Sequence, residues 1–118
     1  MAQLLVLIYG DEQKWADASD QWHRQNFERH TAFMAEAGGA VIGGNELEPT
    51  SAAISVRADP AGRPTATDGP FLETKEAIGG YYLLEAADLD EAIRLAARVL
   101  EASTSSCGVE IRPVKEMT

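Results

Sequence analysis

Residues 3–9 of this chain, Q-L-L-V-L-I-Y, constrain its fold more than any others. The run is apolar, with β-branched and aromatic members. Alternate side chains of a strand point to opposite faces, so a strand of this kind lies inside a sheet and needs cover on both faces. Gly10-Asp11 ends it. A second strong strand, residues 78–86, carries Tyr81 and Tyr82 side by side, which places one on each face.

The remaining elements fall around these two strands. Residues 15–20 form a polar connector in which Ser19 or Asp20 can cap a helix. Helix one follows over 21–37 and stops at Gly38-Gly39. Residues 40–47 make another strand, loosened by Gly43-Gly44 and closed by Pro49. Residues 52–58 alternate as a third, and after the turn-rich loop 59–64 a short strand at 65–67 pairs with it. Asp88 caps helix two with Glu91 as its capping-box partner, and this helix runs to about residue 101. A small-residue linker over 102–108 leads to the last strand, 109–114. The order β-α-β, hairpin, β-α-β gives an α+β fold, the ferredoxin-like split βαβ arrangement with an inserted β-hairpin. Four main strands then form an antiparallel sheet with both helices on one face. The other face is apolar and bare, which predicts a sheet-to-sheet homodimer.

With 118 residues, the chain is read as a single domain over 1–118. No apolar run is long enough to span a bilayer, and nothing basic precedes residues 4–9 as a secretory leader requires. Cys107 is the sole cysteine, so no intrachain disulfide forms and a cytoplasmic setting is expected. Nineteen acidic residues oppose ten basic ones, for a net charge of −9. Phosphate binding needs clustered Lys and Arg, and here they are scattered, so no nucleic-acid or membrane partner is expected.

At about 100° per residue, helix two is cleanly two-sided, with Leu89, Ala92, Ile93, Ala96, Val99 and Leu100 on one face. Helix one is not. Trp22, Phe27, Phe33, Met34 and Ala37 define its apolar face, and His23, Asn26 and His30 fall within the same arc. Polar groups on a buried stripe either are satisfied in the core or dimer seam, or line a pocket. In the second case His23 or His30 is a candidate general acid or base, since imidazole titrates near neutral pH. The two histidines stand seven residues apart, about 10 Å, which does not suit two ligands of one metal ion. No zinc site, P-loop, dinucleotide fingerprint or nucleophile elbow is present in sequence, and the expectation is no metal and no cofactor.

The stretch 67–86, T-D-G-P-F-L-E-T-K-E-A-I-G-G-Y-Y-L-L-E-A, is the most specific in the chain. Asp68-Gly69-Pro70 is a turn, Phe71 is expected to tuck beneath it, and Gly79-Gly80 marks a bulge or close approach. This stretch resembles the hallmark of the DGPF proteins, a branch of the YCII-related family. So do L-L-V-L-I-Y-G-D-E, I-G-G-N-E-L, A-D-L-D-E-A and G-V-E-I-R-P-V. The resemblance implies a dimeric α+β barrel, two ferredoxin-like domains paired sheet to sheet. It implies little about activity. A His–Asp pair is proposed as catalytic in the wider family, where one relative removes chloride from a chlorinated hydroxyquinol. The family histidine aligns nearer Asn26 than His30, and Asp68 matches the DGPF aspartate. Many relatives are encoded beside extracytoplasmic-function sigma factors, which implies a regulatory protein partner.

Two functions follow. One is binding of a small polar or aromatic molecule between helix one and the sheet, with cofactor-free isomerase or lyase chemistry. His30 or His23 is then the base, Asp68 its orienter or a second acid/base, and Asn26, Tyr81, Tyr82 and Arg112 bind the ligand. The alternative is a non-catalytic dimer acting through a protein partner.

Overall fold

The computed structural model describes residues 2–103 and 107–116. The elements are β1 (Ala2–Asp11), α1 (Glu12–Asp17), α2 (Asp20–Ala37), β2 (Val41–Glu46), β3 (Ile54–Ala58), β4 (Pro64–Asp68), β5 (Glu76–Ala86), α3 (Leu89–Ser103) and β6 (Cys107–Pro113). Four strands form one sheet in the order β2-β5-β1-β6, and β3 and β4 form a separate ribbon. Every pairing is antiparallel. This is the ferredoxin-like α+β fold with an inserted hairpin. The expected linker over 102–108 is shorter: residues 102–103 belong to α3 and 107–108 to β6, and 104–106 lie outside the described residues.

The apolar run behaves as its pattern dictates. Leu4, Val6 and Ile8 point into the helix side and are buried. Leu5, Leu7 and Tyr9 point to the back and are half-buried. The main core joins Val6 and Ile8 to Phe33 of α2, Tyr82 and Leu84 of β5 and Val99 of α3. A second cluster, Leu4, Ala86 and Ala92, continues it toward the start of α3.

Helix caps follow from local chemistry. Ser19 Oγ accepts from Trp22 N at the start of α2. Asp88 Oδ1 accepts from Glu91 N, and Glu91 returns a carboxylate oxygen to Ala87 N. The reciprocal bond thus lands one residue before the cap. The polar connector proves shorter than expected, because residues 12–17 are helical. Asp11 closes β1 and also caps α1, accepting from Gln13 N and Lys14 N. A helix of six residues gives no readable periodicity, so its cap is its only trace in the sequence.

Helix α1 explains two of the glycines. Trp15 lies against Gly10 of β1 and Gly79 of β5, where the β1–β5 register shifts. A Cβ on Gly79 would stand 2.6 Å from the Trp15 ring, and one on Gly10 closer still. The ring occupies the space both missing side chains leave.

Three expected placements are corrected. On α3, Leu89 is 59% and Ile93 51% exposed, although helical spacing put both on its apolar face. Phe27 is 72% exposed and Met34 49% exposed, so the buried arc of α2 is narrower than the apolar pattern implied. Phe71 is not tucked beneath its turn but is 57% exposed, with the Arg57 guanidinium 3.7 Å over its ring.

Candidate functional site

Tyr82 is the centre of the polar chemistry on the helix side. It sits opposite Gly44 in the β2–β5 ladder, where a Cβ would stand 2.7 Å from the ring atom Cδ1. The glycine lets the ring lie flat across β2 instead of being pushed away. Phe33 packs against it at 5.0 Å between centroids, tilted by 57°. Its hydroxyl meets His30 Nδ1 at 2.8 Å, and the two rings stack at 5.9 Å. Asn26 lies one turn before His30 on the same helix face. Its Oδ1 is buried and has no hydrogen-bond partner.

Burial governs the electrostatics of this pair. Desolvation holds His30 below the usual imidazole range, and the charge of Glu46 partly opposes that. Desolvation raises the Tyr82 phenol, and Glu46 raises it further. At neutral pH the pair is therefore a neutral imidazole beside a neutral phenol. When Tyr82 accepts from Nδ1–H, Nε2 is the basic nitrogen, the tautomer that a general base requires. A proton taken up there is stabilised by Glu46. The hydroxyl is equally able to donate to Nδ1, which places the proton on Nε2 instead.

The space between α2 and the sheet is filled by Phe33, Tyr82 and their neighbours. Access to the pair is therefore at the rim, where His30 and Asn26 are half-buried beside β2. A shallow groove also lies on the seam between α2 and α3, lined by Phe33, Glu36, Ala37, Arg94, Leu95 and Arg98.

The other residues expected at the site are distributed elsewhere. His23 is exposed, with its ring edge-on to Trp22 at 5.0 Å. Tyr81 points to the back of the sheet, where its hydroxyl accepts from Asn45 Nδ2 at 3.0 Å. Arg112 shares that back face, 2.5 Å from Glu110 Oε2. The ion pair gives the buried Glu110 oxygen its charged partner. The sheet separates Tyr81 and Arg112 from His30, Asn26 and Tyr82, and within one subunit the five do not line one site. Asp68 is exposed at the end of β4, opposite Ile54 in the ribbon. Its turn is closed by backbone and serine: Gly69 N donates to Ala53 O, and Ser55 Oγ to Gly69 O. Glu46 was missed by sequence reading. Its trace was the alternation of β2, which puts Gly44 and Glu46 on the side Tyr82 occupies.

These features define a ferredoxin-like α+β domain with a histidine–tyrosine pair at the rim of its helix–sheet layer. The family model for the YCII-related domain matches residues 2–118. An uncharacterised protein of Rhizobium meliloti (strain 1021) is 37% identical over 114 residues, 92% of this chain and 89% of that one. The chain belongs to the YCII-related family.

Proposed function

We propose that this protein binds a small polar or aromatic molecule at the rim beside β2, and that His30 serves there as a cofactor-free general base. The observation that carries this reading is the 2.8 Å contact between His30 Nδ1 and Tyr82 Oη, in a setting that keeps the imidazole neutral. The unpaired Asn26 Oδ1 supplies an acceptor for a ligand donor. Glu46 supplies the counter-charge once His30 is protonated. A positioned base of this kind contributes about 10²–10⁴-fold in proton transfer, which suits isomerisation or elimination next to a carbonyl or phenol. Tyr82 positions the His30 ring through Nδ1, and the base is Nε2 when the phenol accepts from Nδ1–H. Resemblance to the DGPF branch supports the same fold but assigns no substrate.

The second part of the proposal is that two copies pair through their sheet backs. Leu5, Leu7, Tyr9, Tyr81 and Leu83 form a half-buried apolar surface there, on the face opposite Val6, Tyr82 and Leu84. In such a pair, Tyr81 and Arg112 belong to the seam.

Titration of ¹⁵N-labelled protein with phenols and small keto acids tests the site. The expected result is a shift response centred on His30, Tyr82 and Glu46 that is lost in His30→Asn. A response confined to His23 or Asp68, or one that survives His30→Asn, sinks the reading.

A further inference from the structure

The β3–β4 ribbon is built inside out. Ile54, Val56 and Ala58 share one face with Asp68, Ala66 and Pro64, whereas Ser55 and Arg57 share the other with Thr67 and Thr65. The polar face is used internally: Ser55 Oγ bonds Gly69 O at 2.7 Å, and Thr65 Oγ1 bonds Arg57 O at 3.0 Å. The apolar face is left in solvent, with Ile54 66% and Val56 59% exposed. Among the described residues, no helix or other strand packs along the ribbon. A two-stranded ribbon alone is marginal in water and needs cover. The chain is also extended, with a radius of gyration of 16.3 Å against about 13.5 Å for a compact chain of this length.

The root of the ribbon is fixed, not loose. The Glu12 carboxylate of α1 accepts from Thr50 N at 2.8 Å and from Thr50 Oγ1 at 2.5 Å. Helix α1 is held in turn by Trp15 against Gly10 and Gly79. Gly10 of β1, Gly79 of β5 and Thr50 before the ribbon thus converge on a bracket, α1, that presents the ribbon.

We propose that the ribbon is an arm that packs its Ile54–Val56 face against a second copy of this chain. Charge favours that occupant. Arg57 and Arg63 balance Asp59 and Asp68 within the arm, so the arm is neutral while the chain as a whole carries −9. Two copies repel each other over most of their surfaces and meet at least electrostatic cost here. A sheet-to-sheet pair brings the copies together, and the arm adds contact area to it. This inference rests on the pairing proposed above.

Sedimentation of the wild type and of the Ile54→Ser/Val56→Ser double variant, from about 1 to about 100 μM, tests it. Both substitutions lie on an exposed face and leave the core intact. The expected result is a wild-type dimer whose dissociation constant rises about a hundredfold in the variant. An unchanged constant overturns the arm but leaves the sheet-to-sheet pair standing. A wild type that stays monomeric throughout overturns both. Hydrogen exchange on the wild type gives an independent reading. Protection of the Val56 and Arg57 amides that rises with protein concentration supports the arm. Protection that persists once dilution has dissociated the dimer overturns it.

Discussion

Helices α2 and α3 lie on the same side of the same sheet, but they are built for different tasks. α3 turns Ala92, Ala96 and Val99 into the core and its charges outward. Small side chains let it sit close to the sheet, while Leu89 and Ile93 at the edge of its apolar face stand more than half exposed. α2 has one fully buried side chain, Phe33, and its inner face also carries Asn26 and His30. The difference teaches where to look for function. A helix gives up packing energy only where something else is selected, and the surrendered positions are those that touch Tyr82 or lie beside that contact.

The sharpest way to break this contrast is Phe33→Ala. As the single buried anchor of α2, Phe33 should cost about 3–5 kcal/mol when truncated. That is a large share of the stability of a small domain, and urea unfolding measures it. A loss below about 1 kcal/mol means that α2 is held by more than this anchor.

Asn26→Leu asks whether a polar group on the inner face is a sacrifice. A buried unpaired acceptor costs about 1–3 kcal/mol, so the leucine variant should be more stable, by up to about that amount. The same variant should lose the ligand response at His30. A clear loss of stability identifies Asn26 as a structural group and removes it from the site.

Tyr82→Phe keeps the ring and removes the hydroxyl, at a cost of about 0.5–1.5 kcal/mol. The pH dependence of stability then isolates His30. Its folded pKa lies below its unfolded value, so on acidification the unfolded chain takes up the proton first. The contribution of His30 is fully present above about pH 6.5 and is lost as pH falls through the folded value. His30→Asn should flatten that part of the profile, as followed by thermal unfolding across a pH series. An unchanged slope places the imidazole in solvent.

The smallest effect belongs to the tie between the two helices. Arg98 pairs with Glu36 at 2.9 Å, with both side chains about half exposed. Arg98→Ala should cost about 0–1 kcal/mol, with salt reducing it further. A larger loss makes the α2–α3 seam a structural joint rather than a solvated edge.

Much of this architecture was legible beforehand because it rests on short-range rules. The two-sided run in β1, the caps at Ser19 and Asp88, and the alternation in β3 need only neighbouring residues to be read. The candidate site was legible in part. Helical spacing put Asn26 and His30 on one stripe, but it also put His23 and Phe27 there, because a stripe drawn from sequence is wider than the arc a flat sheet covers. Phe71 was expected beneath its turn, whereas Arg57, fourteen residues earlier, holds it from outside.

What the sequence determined by itself is the order of the strands and the two long helices, and with it the ferredoxin-like sheet and its apolar back. Hydrophobic period and turn chemistry act locally, so they survive without knowledge of the fold. Tertiary structure alone decided which tyrosine meets His30. Strand alternation sends Tyr81 and Tyr82 to opposite faces, but only the helices define which face is inside. It also decided that His30 meets a phenol 52 residues away while Asp68 stands out on the ribbon. Those distances depend on how separate elements pack, and no spacing along the chain encodes them.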